Sequence, residues 1–133
     1  MIDRRLIPEE TAEEARKEIE DVIEELEGED RDLKVELRTV FEGEPARTPA
    51  TERLPQTVTK NVKKILGKEL TMKVGVAYAD FRFFANQMKI PTVSYGPGVL
   101  KTIHSADEHV LVEDLVTATK VLALTYLDLL GFE

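Results

Sequence analysis

Apolar and polar positions change period several times along the chain, and each change predicts an element. Ile2, Arg4 and Leu6 alternate with Asp3, Arg5 and Ile7, the two-residue period of a short strand, which Pro8 stops. Thr11 followed by Glu14 is a capping box. A helix should start there, because Ala12, Ala15, Ile19, Val22, Ile23 and Leu26 recur at three- and four-residue spacing and glutamates fill the other face. Gly28 is placed to stop it. Leu33, Val35, Leu37, Thr39 and Phe41 then alternate with Lys34, Glu36, Arg38 and Val40, a half-buried strand with one wet face. Residues 2–42 thus read as strand–helix–strand, and a helical crossover within one sheet implies parallel strands joined in the right-handed sense.

Gly43 to Thr51 holds Gly43, Pro45 and Pro49 and reads as a linker. It divides the chain into an expected domain at 1–43 and a second at 44–133. In the second, Leu54, Val58, Val62, Ile65 and Leu66 predict a helix ending at Gly67, and Leu70, Met72, Val74 and Val76 a strand. A short helix follows over 79–88 and another strand over 91–95, left through the sharp turn Gly96-Pro97-Gly98. Leu115, Thr119, Leu122, Tyr126 and Leu129 mark a closing helix over 113–130. The expected fold class is α/β in both halves, with no internal repeat.

Composition narrows the function classes. The chain has 133 residues, 42% apolar and 33% charged, a soluble globular balance. No run of 18 apolar residues offers a membrane span, and no basic stretch followed by an apolar core offers a secretory signal. Absence of Cys excludes disulfides and thiolate metal sites and fits a cytoplasmic protein. Eighteen basic against 26 acidic residues give a net charge of −8, which disfavours phosphate backbones and hence nucleic acid as a partner.

Few residues offer chemistry. His104 follows the glycine-rich exit from a strand and precedes Asp107 and Glu108. That is a common position for a metal ligand, but from the residues alone a loop histidine with no role is the favoured reading. His109, beside Val110 and Leu111, reads as structural. Asp80 and Arg82 open the short helix: Asp80 suits a cap, and Arg82 either pairs locally or binds a carboxylate with its fork of donors. Gly96 and Gly98 serve as a plain turn or as backbone that lets a ligand approach closely. Arg4 and Arg5 point to opposite faces of their strand, so at most one of them reaches a given pocket. The chain has no phosphate-binding loop, dinucleotide fingerprint or H-E-x-x-H motif.

One series of residues carries more. Ala79-Asp80-Phe81-Arg82-Phe83-Phe84, Ile90-Pro91-Thr92-Val93, Tyr95-Gly96-Pro97-Gly98 and His104-Ser105-Ala106-Asp107-Glu108 follow one another in order. The series resembles the end of the co-catalytic zinc aminoacylase/carboxypeptidase family, which includes succinyl-diaminopimelate desuccinylases, acetylornithine deacetylases and glutamate carboxypeptidases. Asp3-Arg4-Arg5-Leu6 with Pro8-Glu9-Glu10-Thr11 resembles the second half of that family's lid, or dimerisation, domain. The resemblance implies half of a ferredoxin-like lid followed by the C-terminal α/β part of a zinc-exopeptidase catalytic domain. It places His104 as a zinc ligand, Arg82, Gly96 and Gly98 near the substrate end of the pocket, and Arg5 where a lid arginine meets a substrate carboxylate. It implies two zinc ions that activate water for attack on an N-acyl amino acid or peptide. The family's H-x-D pair, bridging aspartate, Glu-Glu pair and further acidic ligand precede the lid, and this chain shows none of them. Tyr78-Ala79 also departs from the small polar residues usual before the aspartate. The chain is therefore expected to be inactive alone, and to work as a homodimer or with a missing N-terminal part. The competing expectation is a stand-alone dimerisation or interaction module derived from such an enzyme.

Overall fold

Thr11 opens the first helix as the capping box predicts. Its hydroxyl accepts from the Glu14 N–H, and the Glu14 carboxylate accepts in return from the Thr11 N–H at 2.9 Å. The structure is a computed structural model that describes residues 1–69, 71–73 and 79–131. Helix α1 runs Ala12–Glu29, α2 Arg53–Leu66 and α3 Val112–Leu130. Between α2 and α3 lie one turn of π-helix, Phe83–Gln87, and one of 3₁₀-helix, Leu100–Thr102. Gly67 ends α2 in the left-handed conformation (φ 65°) that glycine adopts without a Cβ penalty.

Packing centres on α2 against α3. Val58 and Val62 of α2 meet Val121 of α3, with Leu54, Ile65 and Tyr95 packed around them. Val121 is 0% exposed and Val62 1%. The inward face of α3 is Ala118, Val121 and Thr125, not the expected stripe through Leu115 and Tyr126, which are both exposed. The physical reason lies in α3 itself. The helix is apolar nearly all round, so periodicity does not single out one face. Arg53 steadies the end of α3, donating to the Asp128 and Leu129 carbonyls at 3.0 and 3.3 Å, where the last turn leaves acceptors unmet.

The expected α/β class is not what forms. Among the described residues there is no strand, so the strand–helix–strand half of a ferredoxin-like lid and its parallel, right-handed pairing are absent. The segments at 2–7 and 33–41 form no ladder, and their backbone groups find side chains instead. The Ile7 N–H donates to Glu10 Oε2 at 3.0 Å and the Val35 N–H to Glu27 Oε1 at 2.8 Å. Alternation in sequence sorts side chains onto two faces, but a strand also needs a neighbouring backbone to pair with. At 91–95 the Thr92 N–H likewise goes to the Thr48 hydroxyl, at 2.8 Å. Leu70, Val74 and Val76 of the expected strand at 70–76 lie outside the described residues.

Candidate functional site

Tyr95 anchors the approach to the site. Its ring packs on the α2–α3 core, and burial pushes its phenol above the ordinary value. The next residues, Gly96 to Gly98, leave the core for solvent. Gly98 has φ 140°, a conformation L side chains rarely adopt, whereas the space beside Gly96 and Gly98 is open within 4 Å. The turn therefore needs glycine at 98 for backbone reasons, and no part of the described chain presses on either glycine.

His104 follows the 3₁₀ turn at φ 63°, left-handed, in a loop that is exposed throughout. Its own N–H donates to Glu108 Oε2 at 2.8 Å. The Glu108 carboxylate thus closes the loop on its backbone. The Ser105 hydroxyl lies 2.6 Å from the Thr102 carbonyl and 2.8 Å from Asp107 Oδ1. His109 Nδ1 lies 2.7 Å from the Asp107 carbonyl, which makes Nδ1 the protonated nitrogen there. The loop is thus braced by its own polar groups.

A metal centre is a separate question. Among the described residues no three His, Cys, Asp or Glu side chains gather where they could hold a metal ion. Zinc in a catalytic site takes about three protein ligands, so the residues present do not fit a closed zinc centre. His104 stands as a single exposed imidazole.

The arginines make different described contacts. Arg82, half-buried, lies over the Phe83 ring at 3.9 Å from its centroid and over Phe41 at 5.5 Å. Arg4 grips α1, donating to Glu10 at 2.8 Å and to Glu18 at 3.1 Å. That pairing holds Arg4 further above its ordinary value and the Glu10 carboxyl below its own. Arg5 pairs with Asp3 at 2.8 Å. The groove beside Arg4 along α1 is lined by Glu9, Glu10, Glu14, Glu18 and Asp21 with Lys17, a surface that repels a carboxylate. The structure therefore keeps 96–104 in one stretch of the chain and does not bring Arg5 to it in any described contact.

Two polar residues escaped the sequence reading. Asn61, 1% exposed, sits among the buried positions of α2 and donates to the Thr125 hydroxyl and to Asp128 Oδ2, both at 3.3 Å. A polar residue between Val58 and Val62 in a helical stripe was the available signal. Asn86 donates to the Pro45 carbonyl at 3.1 Å, and nothing in the sequence pattern marks it.

The pattern that defines Peptidase family M20/M25/M40 matches residues 3–128. A succinyl-diaminopimelate desuccinylase from Hydrogenovibrio crunogenus is 34% identical over 98 residues, covering 74% of this chain and 25% of the relative. The chain thus spans about a quarter of the length of the curated relative it matches. No solved structure gives a match.

Proposed function

The chain belongs to peptidase family M20/M25/M40, and from that premise we propose that it is the C-terminal part of a metal-dependent amidohydrolase acting on N-acyl amino acids or peptides. The observation that carries this reading is the span of the family match, 3–128, over a chain whose residues 79–108 hold the family-like series in order. In this reading residues 1–43 belong to the lid and 44–133 to the catalytic domain. His104 contributes one ligand to a metal centre completed by residues outside this chain. Arg82, Gly96 and Gly98 lie toward the substrate, and Arg5 reaches a substrate carboxylate only if the lid brings it there. A cytoplasmic setting agrees with the absence of Cys, and no helix among the described residues is long and apolar enough to cross a membrane.

The chain alone should not turn over substrate, because its described residues gather no metal set and the family's metal-binding and general-base motifs precede the lid. The test is hydrolysis of N-acetyl and N-succinyl amino acids with zinc or cobalt added. The assay is run on the chain alone and then mixed with a polypeptide carrying the family's H-x-D and Glu-Glu motifs. Activity is expected only in the mixture, and His104→Ala should abolish it. Turnover by the chain alone that depends on His104 would overturn the proposal. A second reading, a homodimerising interaction module, is favoured by one observation. Val22 and Leu26 of α1, and Val35, Leu37 and Phe41 after it, stand exposed.

A further inference from the structure

The stretch that reads as a loose linker is fastened on both sides. Toward α1, Glu44 Oε1 accepts from the Ala12 N–H at 3.4 Å, Glu42 pairs with Arg16 at 3.6 Å, and Arg47 pairs with Glu9 at 3.0 Å. Toward the other half of the chain, Asn86 Nδ2 lies 3.1 Å from the Pro45 carbonyl and 3.5 Å from that of Glu44. The Thr48 hydroxyl accepts from the Thr92 N–H at 2.8 Å. Gly43, Pro45, Ala46 and Thr48 are half-buried, while Glu42, Glu44 and Arg47 are exposed. The segment is thus held at several points, its Glu44 and Pro45 carbonyls by Asn86 and the side chains of Glu42, Glu44 and Arg47 from the α1 side.

The helices make this arrangement matter. Among the described elements α2 and α3 pack on each other, and α1 packs on neither. Among the described contacts, α1 is tied to the segment at 42–48, and that segment in turn to Asn86 and Thr92. From this juxtaposition we infer that residues 42–48 are a clasped strap. Asn86 is its catch and a positioning residue, which holds residues 1–43 in register with the 82–92 segment. The 1–43 region reorients more freely once Asn86 releases the Glu44 and Pro45 carbonyls, with the Thr48–Thr92 bond and the Arg82 guanidinium over Phe41 as the remaining ties.

The two grips differ in kind. The α1 side rests largely on exposed ion pairs, which contribute little and are screened by salt. The Asn86 and Thr92 side rests on neutral, half-buried hydrogen bonds, which salt leaves in place. Added salt alone should therefore loosen α1 from the strap without freeing the strap from Asn86. The inference does not depend on the proposed hydrolase activity, and its readouts are structural.

The test uses the full 133-residue chain, with amide hydrogen exchange at Ala12, Thr92 and Val62. The rate at which trypsin releases the fragment ending at Arg47 is followed alongside. In Asn86→Ala, exchange at Ala12 and cleavage after Arg47 should speed up about two- to tenfold, the worth of one net hydrogen bond. Val62, in the α2–α3 core, should not change. A second variant, Thr48→Val, removes the acceptor for the Thr92 N–H and is read by exchange alone, with Thr92 and Ala12 both accelerated. Unchanged Ala12 exchange in both variants would overturn the inference. So would an acceleration shared equally by Val62, since Asn86 would then support the fold as a whole and not the strap.

Discussion

Asn61 on α2 donates through Nδ2 to the Thr125 hydroxyl on α3 at 3.3 Å, and Thr125 in turn donates to the Val121 carbonyl at 2.8 Å. Both side chains are buried, in a core otherwise made of small apolar residues. The pair fixes which face of α3 meets α2, a choice the apolar helix does not make for itself. The Asn61→Ala variant should lose about 1–3 kcal/mol in urea unfolding, because Thr125 Oγ1, which still donates to Val121, loses the donor it accepts from, and the buried volume of the amide is left empty. The double variant Asn61→Leu/Thr125→Val removes both polar groups together and should lose less than Asn61→Ala. A double variant that is the less stable of the two would show that the bond contributes more than the cost of burying its groups.

The two faces of α3 should respond differently to truncation. Val121→Ala removes two buried methyl groups and leaves a cavity, a loss of about 2 kcal/mol. Leu115→Ala, on the exposed face of the isolated chain, should stay within about 0.5 kcal/mol. Equal losses measured by thermal unfolding would mean that the outer face is also covered in solution.

Acid should weaken the chain in a defined window. The Thr11 hydroxyl and N–H hold the Glu14 carboxyl below its ordinary 4.5, Arg4 does the same for Glu10, and Lys60 with Asn61 holds Asp128 below 3.8. Each carboxylate is favoured by the fold. Its contribution is therefore fully present above the unfolded value and is lost as pH falls through the folded one. Urea midpoints should be level above about pH 5 and fall below about pH 4. Thr11→Ala should lower stability by about 1 kcal/mol at pH 7 and flatten part of that acid dependence. An undiminished acid slope in that variant would remove Glu14 from the account.

Zinc should bind the chain weakly and without a fixed stoichiometry. His104 is one imidazole, and Glu108 is engaged with the His104 backbone. Calorimetry should show a shallow isotherm that His104→Ala flattens. A tight one-to-one isotherm would mean that Asp107 or Glu108 turns to join the imidazole.

Which parts of this were legible in the sequence follows from what each signal encodes. The helices at 12–29, 53–66 and 112–130 were legible because a helix satisfies its own backbone, so the stripe and the cap suffice. The extended segments were legible only as alternation. Whether Leu33 to Phe41 becomes a strand depends on a partner the pattern does not name, and the Val35 N–H takes Glu27 instead. The site divides in the same way. Gly96 and Gly98 were legible as a turn, which Gly98 at positive φ requires, but the left-handed backbone of His104 was not written in the pattern. The grip of Asn86 on the Pro45 carbonyl joins residues 41 apart in sequence, and no local pattern encodes such a contact.

The chain should self-associate. α1 is 18 residues long, with only Ala12 and Ala15 buried. Val22 is 55% exposed and Leu26 46%, on the face the glutamates leave apolar. Phe41, at 64%, and the neighbouring Val35 and Leu37 extend that apolar surface beyond the helix. α3 adds Val112, Leu115, Val116 and Leu130 on its outer side. Water-exposed apolar surface of this extent is unusual for a monomer, and each Å² removed from water stabilises by roughly 25 cal/mol. The net charge of −8 opposes association only through screened repulsion. Light scattering at micromolar concentration should therefore report a dimer or a larger species, more so at high salt. Leu26→Lys and Phe41→Lys place charges in the first surface and should shift the chain toward monomer, whereas Leu115→Lys tests the second surface separately. A well-folded monomer at every salt concentration would sink the expectation, and would require the exposed residues of α1 and 33–41 to find cover within the chain itself.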